Sequence, residues 1–149
     1  MARDLVDQMA RLKVIACVQP QFVLTDFWTH ERVGPDRYGW SYPFKTMLEG
    51  GVTLAMGSDC PVERLDPIEL LHRAVNREPR SLGERLTVEE TIRAYSWGSA
   101  FAGFAENYTG CLEPGKLADF TVLSADPFSI PPSEIETIRV EATAIGGVI

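Results

Sequence analysis

Leu5, Met9 and Leu12 recur at steps of four and three, and this spacing predicts an amphipathic helix over 3–12. It runs into an unbroken apolar stretch, Val14-Ile15-Ala16-Cys17-Val18, which ends at Gln19-Pro20. Continuous rather than alternating apolarity predicts a strand covered on both faces, as in parallel sheets. The same plan then repeats. Pro43 suits the first turn of a helix, Phe44 to Glu49 continue it, and Gly50-Gly51 stop it. Val52-Thr53-Leu54-Ala55-Met56 reads as a second buried strand, closed by Gly57-Ser58-Asp59. Two helix–strand units with buried strands predict an α/β architecture with parallel pairing.

Asp66-Pro67 opens a third helix, whose apolar stripe is Leu70, Leu71, Ala74 and Val75. Residues 77–85 are charged, contain Pro79 and Gly83, and read as a loop. Thr87 and Glu90 have the spacing of a capping box at the head of a helix that reaches about Phe104. Gly98, Ser99, Ala100 and Gly103 suggest that this helix packs closely on another element. The character changes near Gly110: a short strand over 117–123, a helical turn over 131–136 and an alternating strand over 138–145. Gly146-Gly147 reads as a hairpin turn before Val148-Ile149.

Composition narrows the class. The 149 residues are 45% hydrophobic and 23% charged, the balance of a soluble globular domain. A complete eight-unit α/β barrel typically needs about 250 residues. The formal charge of −7 and the pI near 4.8, with no basic cluster, exclude a nucleic-acid partner. No run approaches the ~18 apolar residues of a membrane span, so no membrane partner is expected. Residues 1–7 read as a helix start without a signal-peptide core. Cys17, Cys60 and Cys111 are widely spaced and fit a reducing compartment, and the expected location is cytoplasmic.

The sharpest chemical feature is Asp59, directly after an apolar strand. In parallel α/β folds catalytic groups collect at the C-terminal ends of strands, where the loops open onto the pocket. A carboxylate there binds a metal, acts as a general base, or does both in turn. Equally, it caps a turn or the next helix. Cys60 reads as a buried structural thiol, because no histidine lies near it in sequence. His30 and His72 match no metal-ligand spacing: His30, in a predicted loop, faces a pocket or serves a structural role, and His72, on a helix, reads as a surface or packing residue. Residues 26–42 carry Phe27, Trp28, Tyr38, Trp40 and Tyr42 without clear periodicity. A long loop of this kind is expected on the same rim as Asp59, facing substrate or covering a subunit interface.

These residues resemble a known family. Val18-Gln19-Pro20, the run from Gly57 to Glu63, and Asp66-Pro67 resemble the end of the barrel in metal-dependent amidohydrolases, in the branch that includes N-substituted formamide deformylase. Leu86 to Glu90 with Ala94 to Ala100 resemble the next helix of that family. Gly110-Cys111-Leu112-Glu113-Pro114-Gly115-Lys116-Leu117-Ala118-Asp119-Phe120 resembles the signature that returns the chain to its small β-sandwich. The resemblance implies the C-terminal part of a TIM-barrel amidohydrolase, its last two barrel units over 1–108, with part of a β-sandwich over 109–149. Asp59 matches the family's metal ligand or proton shuttle at the end of the eighth strand. The His-x-His pair, the bridging carboxylate or modified lysine and the later metal-binding histidines have no counterparts here, and Phe22 stands where some relatives carry a histidine.

The resemblance therefore implies a fragment of a hydrolase of non-peptide C–N bonds, inactive alone. It would use a divalent metal, of zinc type, in the intact enzyme and possess no metal of its own. Asp59 is the expected catalytic and metal-binding residue. Trp28, Tyr38 and Trp40 are the expected contacts to a small amide-type substrate. A homo-oligomer or a complementing chain is the expected partner. The rival expectation is a non-catalytic oligomerisation domain derived from such an enzyme.

Overall fold

The computed structural model describes residues 1–77 and 83–149. Helix α1 (Arg3–Arg11) leads to strand β1 (Ile15–Val18) through Lys13, whose φ of 53° lies in the left-handed region. Three short helices follow, α2 (Phe22–Thr25), α3 (Thr29–Val33) and α4 (Pro35–Tyr38), and then α5 (Phe44–Glu49) and β2 (Thr53–Met56). The strands pair in parallel from Ile15 opposite Thr53 to Val18 opposite Met56. The bond from the Gly57 N–H to the Val18 carbonyl at 3.1 Å extends the ladder by one step. This parallel pair between helices is the predicted α/β architecture.

Three details correct the sequence reading. The stretch 26–42 is not free of regular structure: α3 and α4 lie within it, and each is too short to display a hydrophobic repeat. Strand β1 is not covered on both faces, since Cys17 is exposed, whereas β2 is buried over Leu54, Ala55 and Met56. Cys60, read as a buried thiol, is exposed. The predicted loop over 77–85 falls largely on residues 78–82, outside the described residues.

Helix α6 (Pro67–Val75) starts where the chain dictates. Asp66 Oδ1 accepts from the backbone N–H groups of Ile68 and Glu69 at 3.0 and 3.1 Å, and Pro67 occupies the first turn. Its two faces serve two cores. Leu70 and Ala74 pack with Val6, Phe44, Met47, Leu54 and Met56, while Leu71 and Val75 pack with Ile135 and Ile138. The first core seats the parallel strands, and the second attaches the C-terminal segment to the same helix.

Helix α7 (Val88–Arg93) has the predicted capping box. Thr87 Oγ1 accepts from the Glu90 N–H at 3.1 Å, and Glu90 Oε2 accepts from the Thr87 N–H at 2.9 Å. The other Glu90 oxygen takes Lys45 Nζ at 2.6 Å, which ties α7 to α5. Thr87→Ala should therefore cost about 1 kcal/mol in chemical denaturation, with the slope unchanged. The helix then widens into a π-helical turn (Ala94–Gly98) before α8 (Ser99–Ala102). Ser99 Oγ donates to the Met56 carbonyl at 2.9 Å and lies 3.2 Å from the Met56 N–H, whose hydrogen bond it accepts.

Beyond Gly110 the chain forms an antiparallel pair, β3 (Phe120–Leu123) with β4 (Val140–Ala144), separated by a 3₁₀ turn over Pro132–Thr137. The pair runs from Phe120 opposite Ala144 to Leu123 opposite Val140, with an irregularity between Val122 and Leu123. Gly146 and Gly147 both have positive φ and form the predicted hairpin turn, bridged by Ile145 and Val148. Among the described residues, no helix is long and apolar enough to cross a membrane.

Candidate functional site

Parallel pairing puts the C-terminal ends of β1 and β2 side by side, and the segments that leave them form one rim. From β2, Gly57 and the buried Ser58 lead to Asp59, which is exposed and has a φ of 58°. Aspartate is among the few residues that tolerate this left-handed conformation. The Val62 N–H donates to the Asp59 carbonyl at 2.8 Å, closing a turn in which the Cys60–Pro61 peptide is cis. The main chain is thus folded back on itself, and the Asp59 side chain stands at the rim, open to solvent. The helix cap directly downstream belongs to Asp66, so capping the next helix, one of the two readings of Asp59, falls to another residue.

From β1, the chain passes through Gln21 and α2 into the aromatic strap. Two hydrogen bonds tie this segment to the Asp59 loop: Gln21 Nε2 donates to the Arg64 carbonyl at 2.8 Å, and Thr25 Oγ1 donates to Glu63 Oε1 at 2.5 Å. The strap closes on itself where the Tyr42 hydroxyl bonds the Asp26 carboxylate. Burial, helped by that carboxylate, pushes the Tyr42 hydroxyl up to about 12, so it stays a donor at neutral pH. The buried Arg77 donates from Nη1 to the Tyr42 carbonyl at 3.0 Å and lies 4.9 Å from the centre of the Phe44 ring, fixing the far end of the strap.

Along the strap, Trp28 is exposed with the Arg32 guanidinium 5.3 Å from its ring centre. Tyr38 is half-buried and meets the ring of His30 edge-on at 5.3 Å. Trp40 is 52% and Phe27 85% exposed. The structure thus places Trp28, Tyr38 and Trp40 in the segment leaving β1 and Asp59 in the segment leaving β2. Gln21 was not singled out by sequence. It is a lone polar residue between Pro20 and Phe22, and a single position carries no period.

The donor set for a metal is incomplete. Among the described residues no group of three or more His, Cys, Asp or Glu side chains is placed to hold an ion. His30 lies on α3 against Tyr38. His72 lies on α6, 3.2 Å through Nδ1 from Asn76 Nδ2 and 4.0 Å through Nε2 from Glu136, and burial lowers its pKa. Catalytic zinc uses three protein ligands and a water. One exposed carboxylate does not meet that requirement.

Known proteins share this fold. The model of the amidohydrolase family matches residues 1–149. The chain belongs to the amidohydrolase family. It is 36% identical over 155 residues to the Bacillus subtilis protein YtcJ, an alignment that takes in 98% of this chain and 29% of that one. It is 32% identical over 113 residues to N-substituted formamide deformylase of Arthrobacter pascens, covering 72% of this chain and 21% of the enzyme. In structure it is similar to an uncharacterized metal-dependent hydrolase from Pyrococcus horikoshii OT3, with a TM-score of 0.82, 31% identity, and coverage of 89% of this chain and 28% of that one. The chain spans less than a third of the length of each.

Proposed function

We propose that the chain is the C-terminal portion of a metal-dependent amidohydrolase that cleaves non-peptide C–N bonds of small amide-type substrates. In this reading residues 1–108 supply the last two units of a TIM barrel and 109–149 part of a β-sandwich. The observation that carries it is Asp59: an exposed carboxylate at the C-terminal end of a buried parallel strand, in a chain of this family. Asp59 takes the proton of the attacking water and returns it to the leaving nitrogen. Trp28, Tyr38 and Trp40 flank the substrate, because the strap that carries them leaves the neighbouring strand on the same rim. The divalent ion of the enzyme, proposed as zinc, needs donors beyond those of this chain, and Asp59 offers it one. The 149 residues alone, in the cytoplasm, are then catalytically inert until completed. The exposed edge of β1 favours a second role as an association surface, which is compatible with the first.

The deformylase supplies the test. Its matching stretch is replaced by that of this chain, and hydrolysis of an N-substituted formamide is followed in the hybrid. Activity is expected, and Asp59→Asn should lower it about 10²–10⁴-fold. A folded hybrid without hydrolysis would overturn the reading for this chain. Full activity with asparagine at 59 would remove Asp59 from the mechanism.

A further inference from the structure

The loop that presents Asp59 has little of its own to hold it. Asp59, Cys60, Pro61, Val62, Arg64 and Leu65 are all exposed between β2 and α6. Segments with few buried contacts open locally at low cost. Beneath this loop lies Gln21, which is 1% exposed and is among the largest fully buried side chains of the chain. Glutamine is seldom buried so completely, and when it is, its amide is hydrogen-bonded. Here only one end is. Nε2 donates to the Arg64 carbonyl at 2.8 Å, while Oε1 is buried with no hydrogen-bond partner among the described residues. The carbonyl at Arg64 fixes which end of the amide faces the loop, because an oxygen in that place would meet another oxygen.

We infer that Gln21 is a positioning residue: its amide, reaching from the end of β1, holds the loop that sets Asp59 at the rim. The same Arg64 carbonyl also accepts the Asp66 N–H at 2.9 Å, so Gln21 binds the loop where it turns into the cap of α6. Thr25, one turn along from Gln21, adds a second and weaker tether through Glu63, because both of its partners lie at the surface. The unpaired Oε1 separates this role from packing. A side chain kept only for volume would be better as an apolar one of the same length, which would leave no orphaned acceptor. The inference deepens the proposed function, since it rests on Asp59 being the working group of the rim.

The test is amide hydrogen exchange on the 149-residue chain, which needs neither substrate nor metal. Its failure is therefore distinct from failure of the hydrolase reading. Gln21→Met keeps the length and volume, removes the donor and also removes the orphaned acceptor. The Val62 and Asp66 amides, which close the loop, should exchange about tenfold faster in this variant. The amides of the β1–β2 ladder should keep their wild-type rates. Unchanged loop rates would overturn the inference, and so would a uniform rise across loop and ladder, which marks a packing role. If Gln21→Met fails to fold, Thr25→Val takes its place. It removes only the surface tether, and with Gln21 still in place the loop amides should accelerate no more than about twofold. A tenfold rise at the loop in Thr25→Val would assign the holding role to Thr25 and overturn it for Gln21.

Discussion

Gly98→Ala should destabilise the chain by about 3 kcal/mol or more, a large part of the 5–15 kcal/mol that holds an ordinary domain together. A Cβ at position 98 would lie 2.0 Å from the Leu54 carbonyl oxygen and 3.2 Å from the carbonyl carbon. Both are backbone atoms of the buried strand β2, so no side chain can rotate away to make room. The helix would have to retreat from β2, and that retreat would break the hydrogen bonds between Ser99 and Met56 at 2.9 and 3.2 Å. Those bonds occupy the edge of β2 away from β1, and a buried backbone N–H left without a partner adds its own penalty. Gly103→Ala is the control. It is the residue that follows α8, where an added Cβ meets its nearest atoms at an ordinary 3.5 Å, so the change should stay within about 0.5 kcal/mol. Urea denaturation of the two variants beside the wild type checks the pair. Equal midpoints for Gly98→Ala and Gly103→Ala would show that the helix does not press on β2 as the structure has it.

The reason for that close approach was only half legible in the sequence. The small residues of 98–103 predicted tight packing, but not the π-helical turn that drives Gly98 and Ser99 against the strand, because one extra residue in a turn leaves no periodic mark. Elements whose determinants are local were readable. Asp66-Pro67 and the Thr87–Glu90 box each start a helix through hydrogen bonds within three residues of chain, and the unbroken run of β2 marked a buried strand where the same pattern in β1 did not. The candidate site divides along the same line. The place of Asp59 was legible because the end of a buried strand in an α/β chain is where loops open. Gln21 was not, because its significance lies in a carbonyl 43 residues away. Asp119 was readable only as part of a family signature. In the structure its Oδ1 accepts the Gly146 N–H at 2.7 Å and its Oδ2 the Thr109 hydroxyl at 3.2 Å, so it clasps the hairpin turn to the start of the C-terminal segment.

The isolated chain should associate at low micromolar concentration, with a melting temperature that rises with concentration. Two independent features point the same way. The sheet that carries the candidate site has only two strands among the described residues, and such a pair is marginal unless its edges are covered. The edge of β2 is covered by Gly98 and Ser99, whereas β1 has no strand on its far side among the described residues, carries the exposed Cys17 and follows the exposed Leu12 and Val14. The second feature is the apolar surface on the rim, where Phe27, Trp28 and Trp40 are exposed together on one short strap. Patches of this kind on a soluble chain mark a surface that another molecule covers. Burying apolar surface at roughly 25 cal/mol per Å² must exceed the cost of association, and obligate interfaces that do so commonly exceed 2,000 Å² in total. The two features predict different variants. If β1 is the contact, Cys17→Lys should shift the chain to monomer, since charge on an exposed edge blocks strand addition, while Trp40→Ser should leave it associated. Light scattering across a tenfold dilution separates them. A monomer whose melt does not depend on concentration would overturn the prediction and show that two strands, closed on one side by Ser99, suffice for a self-sustaining fold.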